Sequence, residues 1–168
     1  MNGIARFLLS LLCIGLLAAC TKSDSSTEMI EPGDKLGDFL ITTGEEGEVT
    51  FGDVLACKEQ AESGHFACHT VVGTKVVLTT GIYDETGSGK LDELWTEFSK
   101  TYKLTIDGRP VDLPPFGTLD RVHPMVGTIR YFNVVIDASK PGEMTISDSG
   151  ELDGEAIQET TVLTFTEP

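Results

Sequence analysis

From about residue 32 onward the chain is built of short apolar stretches cut at near-regular intervals by Gly, Asp and Pro. "LGDFLITT" (36–43) ends at Gly44, and "TKVVLTTGIY" (74–83), rich in β-branched residues, runs into an acidic, Gly-rich loop. Tyr102, Leu104 and Ile106 alternate strictly with polar residues, which is the pattern of a strand with one buried face. Asp107-Gly108 follows, a pair that accepts the positive φ angles of a tight primed turn, and Val111 and Leu113 then resume the alternation. Pro110 has no N–H for a ladder, so this second strand begins there or lies at a sheet edge. "TIRYFNVVID" (128–137), "EMTIS" (143–147) and "IQETTVLTFTE" (157–167) complete the series, separated by "ASKPG" and by "DSGELDG". The latter reads as two acidic turns.

One stretch has a different period. Leu91, Leu94, Trp95 and Phe98 recur at helical spacing in "KLDELWTEFSK", with Ser88 or Gly89 available as a cap. Trp95 shares its face with three apolar residues and is expected to plug a core. Short strands about ten residues apart predict a mostly β fold, an immunoglobulin-like sandwich of about seven or eight strands with one short helix. A small β-barrel is the alternative. "PPFGTLDRVHPM" (114–125) reads as a long two-proline connection, the kind of loop that carries binding residues on a sandwich.

The first twenty residues, "MNGIARFLLSLLCIGLLAAC", have a basic n-region at Arg6 and an uncharged apolar run from Phe7 to Leu17. That is the layout of a secretory signal, and the run is short for a membrane span. Leu17-Ala18-Ala19-Cys20 at its end resembles the lipobox of bacterial lipoprotein precursors. The resemblance implies cleavage before Cys20, a diacylglyceryl group on its sulfur and acylation of the new amino terminus. The implied division is a signal peptide at 1–19, a lipid-anchored tether at 20–31 and one β-rich domain at 32–168. Thr21 follows, where an aspartate would imply retention in an inner membrane, so inner or outer membrane stays open. Two or three acyl chains anchor firmly, at about 0.8 kcal/mol for each buried methylene. Thr21 to Glu31 is Ser, Thr and acid apart from Lys22, Met29 and Ile30. About twelve such residues reach roughly 20 Å.

Charge narrows the partners. The chain has 12 basic and 27 acidic residues, a net charge of −15, and loss of Arg6 with the leader makes it −16. Such a surface repels phosphate backbones and anionic headgroups, so nucleic acid is not an expected partner. Cationic ligands and divalent ions are compatible with it.

"CKEQAESGHFACH" (57–69) concentrates the reactive side chains. Cys13 leaves with the leader and Cys20 takes the lipid, so outside the cytoplasm Cys57 and Cys68 are expected to oxidise together. A zinc site from Cys57, His65, Cys68 and His69 has suitable ligand types, but the adjacent Cys68 and His69 converge only on an irregular backbone. Haem attachment normally uses C-x-x-C-H, and here a much longer spacer separates Cys57 from Cys68-His69.

"DETGSGKLDEL" (84–94) resembles an EF-hand loop through Asp84, Thr86, Ser88 and Asp92. Trp95 stands where a bidentate Glu is required, so these four are calcium candidates without the ligand that sets affinity. G-x-S-x-G, H-E-x-x-H and P-loop motifs do not occur, and no catalytic residue or cofactor is assigned. Asp120 and His123 in "DRVHP" would make half of a hydrolytic dyad. Three functions compete: a lipid-anchored extracytoplasmic module binding a protein or glycan, an envelope redox or metal protein using residues 57–69, and a hydrolase built around His123.

Overall fold

The computed structural model describes residues 28–52 and 55–168. Fourteen strands and one α-helix form among these residues, so the protein is mostly β, as expected. The strands, in chain order, are β1 (Lys35–Leu36), β2 (Phe39–Thr42), β3 (Thr50–Phe51), β4 (Ala56–Glu59), β5 (His65–Val71), β6 (Lys75–Val77) and β7 (Ile82–Tyr83). Helix α1 (Leu91–Thr101) follows, then β8 (Lys103–Ile106), β9 (Arg109–Pro110), β10 (Thr118–His123), β11 (Gly127–Phe132), β12 (Val135–Ala138), β13 (Gly142–Leu152) and β14 (Glu155–Thr166). The count exceeds seven or eight because several apolar runs break in two. "TIRYFNVVID", for example, becomes β11 and β12 on either side of Asn133 and Val134.

The strands form a six-stranded sheet (β4-β5-β14-β13-β8-β9), a five-stranded sheet (β1-β2-β12-β6-β3) and a three-stranded sheet (β10-β11-β7). None closes on itself, and the architecture is a β-sandwich. Most neighbours are antiparallel, but β14 runs parallel to β5 and β3 parallel to β6. The five-stranded sheet is covered on both faces. Val76 and Ile136 point into the main core with Met144, Ile146, Leu163 and Phe165 of the six-stranded sheet. Their neighbours Val77 and Val135 point the other way, into a second core with Leu119, Ile129 and Tyr131 of the small sheet. That is why "KVV" and "VVI" lack the alternation of a one-sided strand.

Two Asp-Gly turns organise the six-stranded sheet. Asp107 and Gly108 have φ of 49° and 76°, and they close the expected β8–β9 hairpin with Ile106 opposite Arg109. Pro110 is on the edge strand, where its missing donor costs nothing. Asp153 and Gly154 repeat the geometry at 53° and 80° and join the long β13–β14 pair. "DSGELDG" is therefore a strand end plus one turn, not two turns.

Other expectations are corrected as well. The segment 114–125, read as a connection, is a short 3-10 turn, Pro114–Phe116, followed by strand β10. The domain begins before residue 32: Ile30 is fully buried and bridges Val111, and its N–H donates to the Pro110 carbonyl at 2.8 Å. Residues 20–27 of the tether, Cys20 included, lie outside the described residues.

Helix α1 forms where its period predicts. It buries Phe98 and carries Asp92 and Glu93 in the first turn and Lys100 in the last, matching the helix dipole. Neither Ser88 nor Gly89 caps it. Lys90 holds the cap position, and its N–H donates to Asp84 Oδ2 at 3.0 Å.

Candidate functional site

The stretch with the reactive side chains is a hairpin. β4 and β5 pair with Cys57 directly opposite Cys68, their Cα atoms 4.0 Å apart and their sulfurs at disulfide distance. Gly64, just before β5, has φ of 76°, and a Cβ there would sit 2.8 Å from the Gln158 carbonyl oxygen, so both backbone angle and space require glycine. The four zinc candidates do not converge. Successive strand residues face opposite ways, so Cys68 turns into the core while His69 is exposed. His65 instead sits 3.6 Å from Glu62.

Beside the cysteines the inner face of the six-stranded sheet changes from apolar to polar. On β13 the inward sequence runs Met144, Ile146, Asp148, and Asp148 is buried. Two hydroxyls hold its carboxylate. Tyr102, just past the end of α1, donates to Oδ2 at 2.8 Å, and the Thr80 hydroxyl donates to the same oxygen. The Tyr102 oxygen also accepts the Thr80 N–H at 3.1 Å, which closes the network. Burial pushes the Asp148 carboxyl above its ordinary range, and the two hydroxyl donors only partly offset this. Burial and the nearby Asp148 charge also raise the Tyr102 phenol.

Glu159 of β14 stands directly opposite Asp148 in the ladder, on the same face. Like charges in that position destabilise a sheet. Burial first, then the Asp148 charge, lift its pKa, with no hydrogen bond from the described residues offsetting them. Two unlike carboxylates therefore lie side by side, Asp148 with two hydroxyl donors on one oxygen and Glu159 with none from the described residues.

Glu159 lines a cavity of about 570 Å³. It lies between the six-stranded sheet and the segment 79–81, where the chain crosses from β6 to β7. Cys57, Cys68 and Phe66 of the six-stranded sheet form one wall, and Tyr83 and Tyr131 of the three-stranded sheet form another, with Thr80 and His123 also in the lining. Gly81 lets this segment pass close to the small sheet, because a Cβ there would meet the Tyr131 ring and come within 2.7 Å of Ile129. Among the described residues the lining offers three aromatic rings, Phe66, Tyr83 and Tyr131, and one carboxylate, Glu159.

The other sequence candidates disperse. Asp84 spends both carboxylate oxygens on its own loop, accepting from the Thr86 N–H and hydroxyl, the Ser88 hydroxyl and the Lys90 N–H, which hold its pKa well below the usual range. Asp92 turns away to Arg130, at 2.6 Å. Asp120 and His123 are three apart on β10 and so face opposite sides. Asp120 takes both of its bonds from Arg130, at 2.7 and 2.8 Å, and this raises the guanidinium pKa. Trp95 packs on Phe132 at 4.6 Å, as expected of a core plug, and also edges an apolar hollow of about 650 Å³ near Met29.

Sequence reasoning missed Asp148 and Glu159. Continuing the alternation Met144, Ile146 through residue 148, and Leu163, Thr161 back to 159, places both on the apolar face, and that was the available signal. No protein family, curated protein or solved structure matches the chain.

The Asp148 environment gives a pH-dependent expectation. A carboxyl whose folded pKa is raised lowers stability as pH climbs from the ordinary carboxylate range, about 4, through the raised value. Asp148→Asn keeps an acceptor for Thr80 and Tyr102 and removes the charge opposite Glu159. It should be more stable than wild type at pH 7.5, by up to ~1 kcal/mol, and the difference should shrink towards pH 4. Urea titrations of both proteins at the two pH values check this.

Proposed function

We propose that the protein is a lipid-anchored, extracytoplasmic β-sandwich module of a bacterial cell envelope, which binds a protein or glycan partner close to the membrane surface. The observation that carries this reading is Leu17-Ala18-Ala19-Cys20 at the end of an apolar leader, with a polar stretch after it. The sandwich supports it, since such a domain is a compact body that a short tether can hold near a surface. The acidic charge is consistent with a domain kept off anionic headgroups. No helix among the described residues is long and apolar enough to cross a membrane, and the anchor in this reading is the lipid.

Cell fractionation of bacteria expressing the full chain tests the anchor. Cys20→Ala should move the protein from the membrane to the soluble fraction or leave an uncleaved precursor. Intact-mass analysis of the wild type should find diacylglyceryl on Cys20, and an unmodified Cys20 sinks the proposal. Sedimentation of the lipidated protein with purified envelope glycan, and cross-linking in intact cells, then separate a glycan from a protein partner.

A further inference from the structure

We propose that the cavity between the Cys57–Cys68 wall and the Tyr83–Tyr131 wall is a binding site for a small organic ammonium ligand, its cationic head on Glu159 and its apolar body between the rings. The inference is independent of the lipid anchor. It starts from an imbalance. Asp148 has its hydroxyl donors, whereas Glu159, directly across the ladder, has the neighbouring negative charge and no hydrogen bond from the described residues. A sheet that sets two carboxylates opposite each other is stabilised by a cation, and the Glu159 side reaches the cavity.

The walls decide which kind of cation. Calcium and magnesium take six or more oxygen ligands and zinc about four side-chain ligands, and no three His, Cys, Asp or Glu residues among the described ones are grouped to hold a metal. Phe66, Tyr83 and Tyr131 instead present aromatic surface, which attracts an ammonium electrostatically and an alkyl or aryl body by burial. The volume, about 570 Å³, falls in the range of small-ligand pockets. The net charge of −15 attracts a cation from solution. The cysteine pair fixes one wall before a ligand arrives, which reduces the ordering cost of binding.

Calorimetry on the full chain in detergent, with 2-phenylethylammonium and its neutral analogue 2-phenylethanol at pH 7.5, tests the site. The ammonium should bind at least about tenfold more tightly, or 1.4 kcal/mol. Glu159→Gln should abolish that preference while leaving the weak binding of the alcohol. Glu159→Gln is isosteric and removes a like-charge pair, so it should fold at least as well as wild type, which its unfolding midpoint verifies. Asp148→Asn should reduce the preference by a smaller factor. Equal binding of the two probes, no binding of either, or an ammonium preference that survives Glu159→Gln each overturns the proposal. A neutral oligosaccharide that binds equally well to wild type and Glu159→Gln and displaces the ammonium would reassign the cavity and overturn it too.

Discussion

Phe98→Ala is expected to cost about 3–5 kcal/mol of stability, which lowers the thermal midpoint by roughly 10–20 °C in a domain of this size. Phe98 is 0% exposed and is the one buried residue of α1. Its ring lies 5.9 Å from Trp95 and 4.7 Å from Tyr102, and Tyr102 in turn stacks on Phe132 at 5.3 Å. These neighbours cannot readily close a hole. They are large rings held by one another and by the strands beneath, so most of the vacated volume should persist as a cavity. Gly150 shows how closely the group is fitted, since a Cβ there would sit 3.3 Å from the Phe98 ring. The loss also reaches the candidate site, because the Phe98 ring is one of the contacts that set Tyr102 over Asp148. Urea unfolding followed by near-ultraviolet circular dichroism measures both effects. A loss below about 1 kcal/mol would show that the helix does not depend on this side chain.

The helix and the Asp-Gly turn at 107–108 were legible because each rests on local chemistry. An apolar stripe at helical spacing needs only a surface to lie on, and an Asp-Gly pair tolerates positive φ wherever it occurs. The sandwich class was legible from strand spacing for the same reason. Pairing order was not. The parallel neighbours β5 and β14 meet through residues far apart in the chain, such as Ala67 and Val162, and nothing in either segment names the other. The second Asp-Gly turn, at 153–154, was present but hidden. Asp148, Ser149, Gly150 and Glu151 have the composition of a loop, yet all four belong to β13. Only the apolar residues before them show that the strand continues.

The site was less legible than the fold because its residues are ordinary one by one. Asp148, Glu159, Thr80 and Tyr102 come from four segments and form no motif, and an acidic chain offers many carboxylates with the same local appearance. Only the ladder register makes two of them neighbours. By contrast, apart from the Cys57–Cys68 pair, the residues that did stand out as chemistry were placed apart by the strand period. Cys68 and His69 diverge because they are consecutive, and Asp120 and His123 diverge because three is odd. The same rule that made strands readable from alternation dissolves clusters that look compact on the page.

Replacing Cys57 and Cys68 together by serine should lower stability by roughly 2–3 kcal/mol, the loop-closure value for a cross-link of this span. That corresponds to a midpoint lowered by about 5–12 °C. The two positions are opposite in an antiparallel pair, so the cross-link joins residues that the strand pairing itself brings together. The native state stays as it is, and the effect falls on the unfolded chain, which loses the restriction on residues 57–68. Cys68 is 1% exposed, so a serine there adds a cost of its own, and reduced wild-type protein separates the two contributions. Membrane attachment through Cys20 should be unchanged, since the lipid and the hairpin share no residue. Non-reducing peptide mapping of the exported protein decides the premise: a cross-linked peptide joining positions 57 and 68 is expected. Free alkylation of both cysteines without a reductant would remove the disulfide and with it the expected loss of stability.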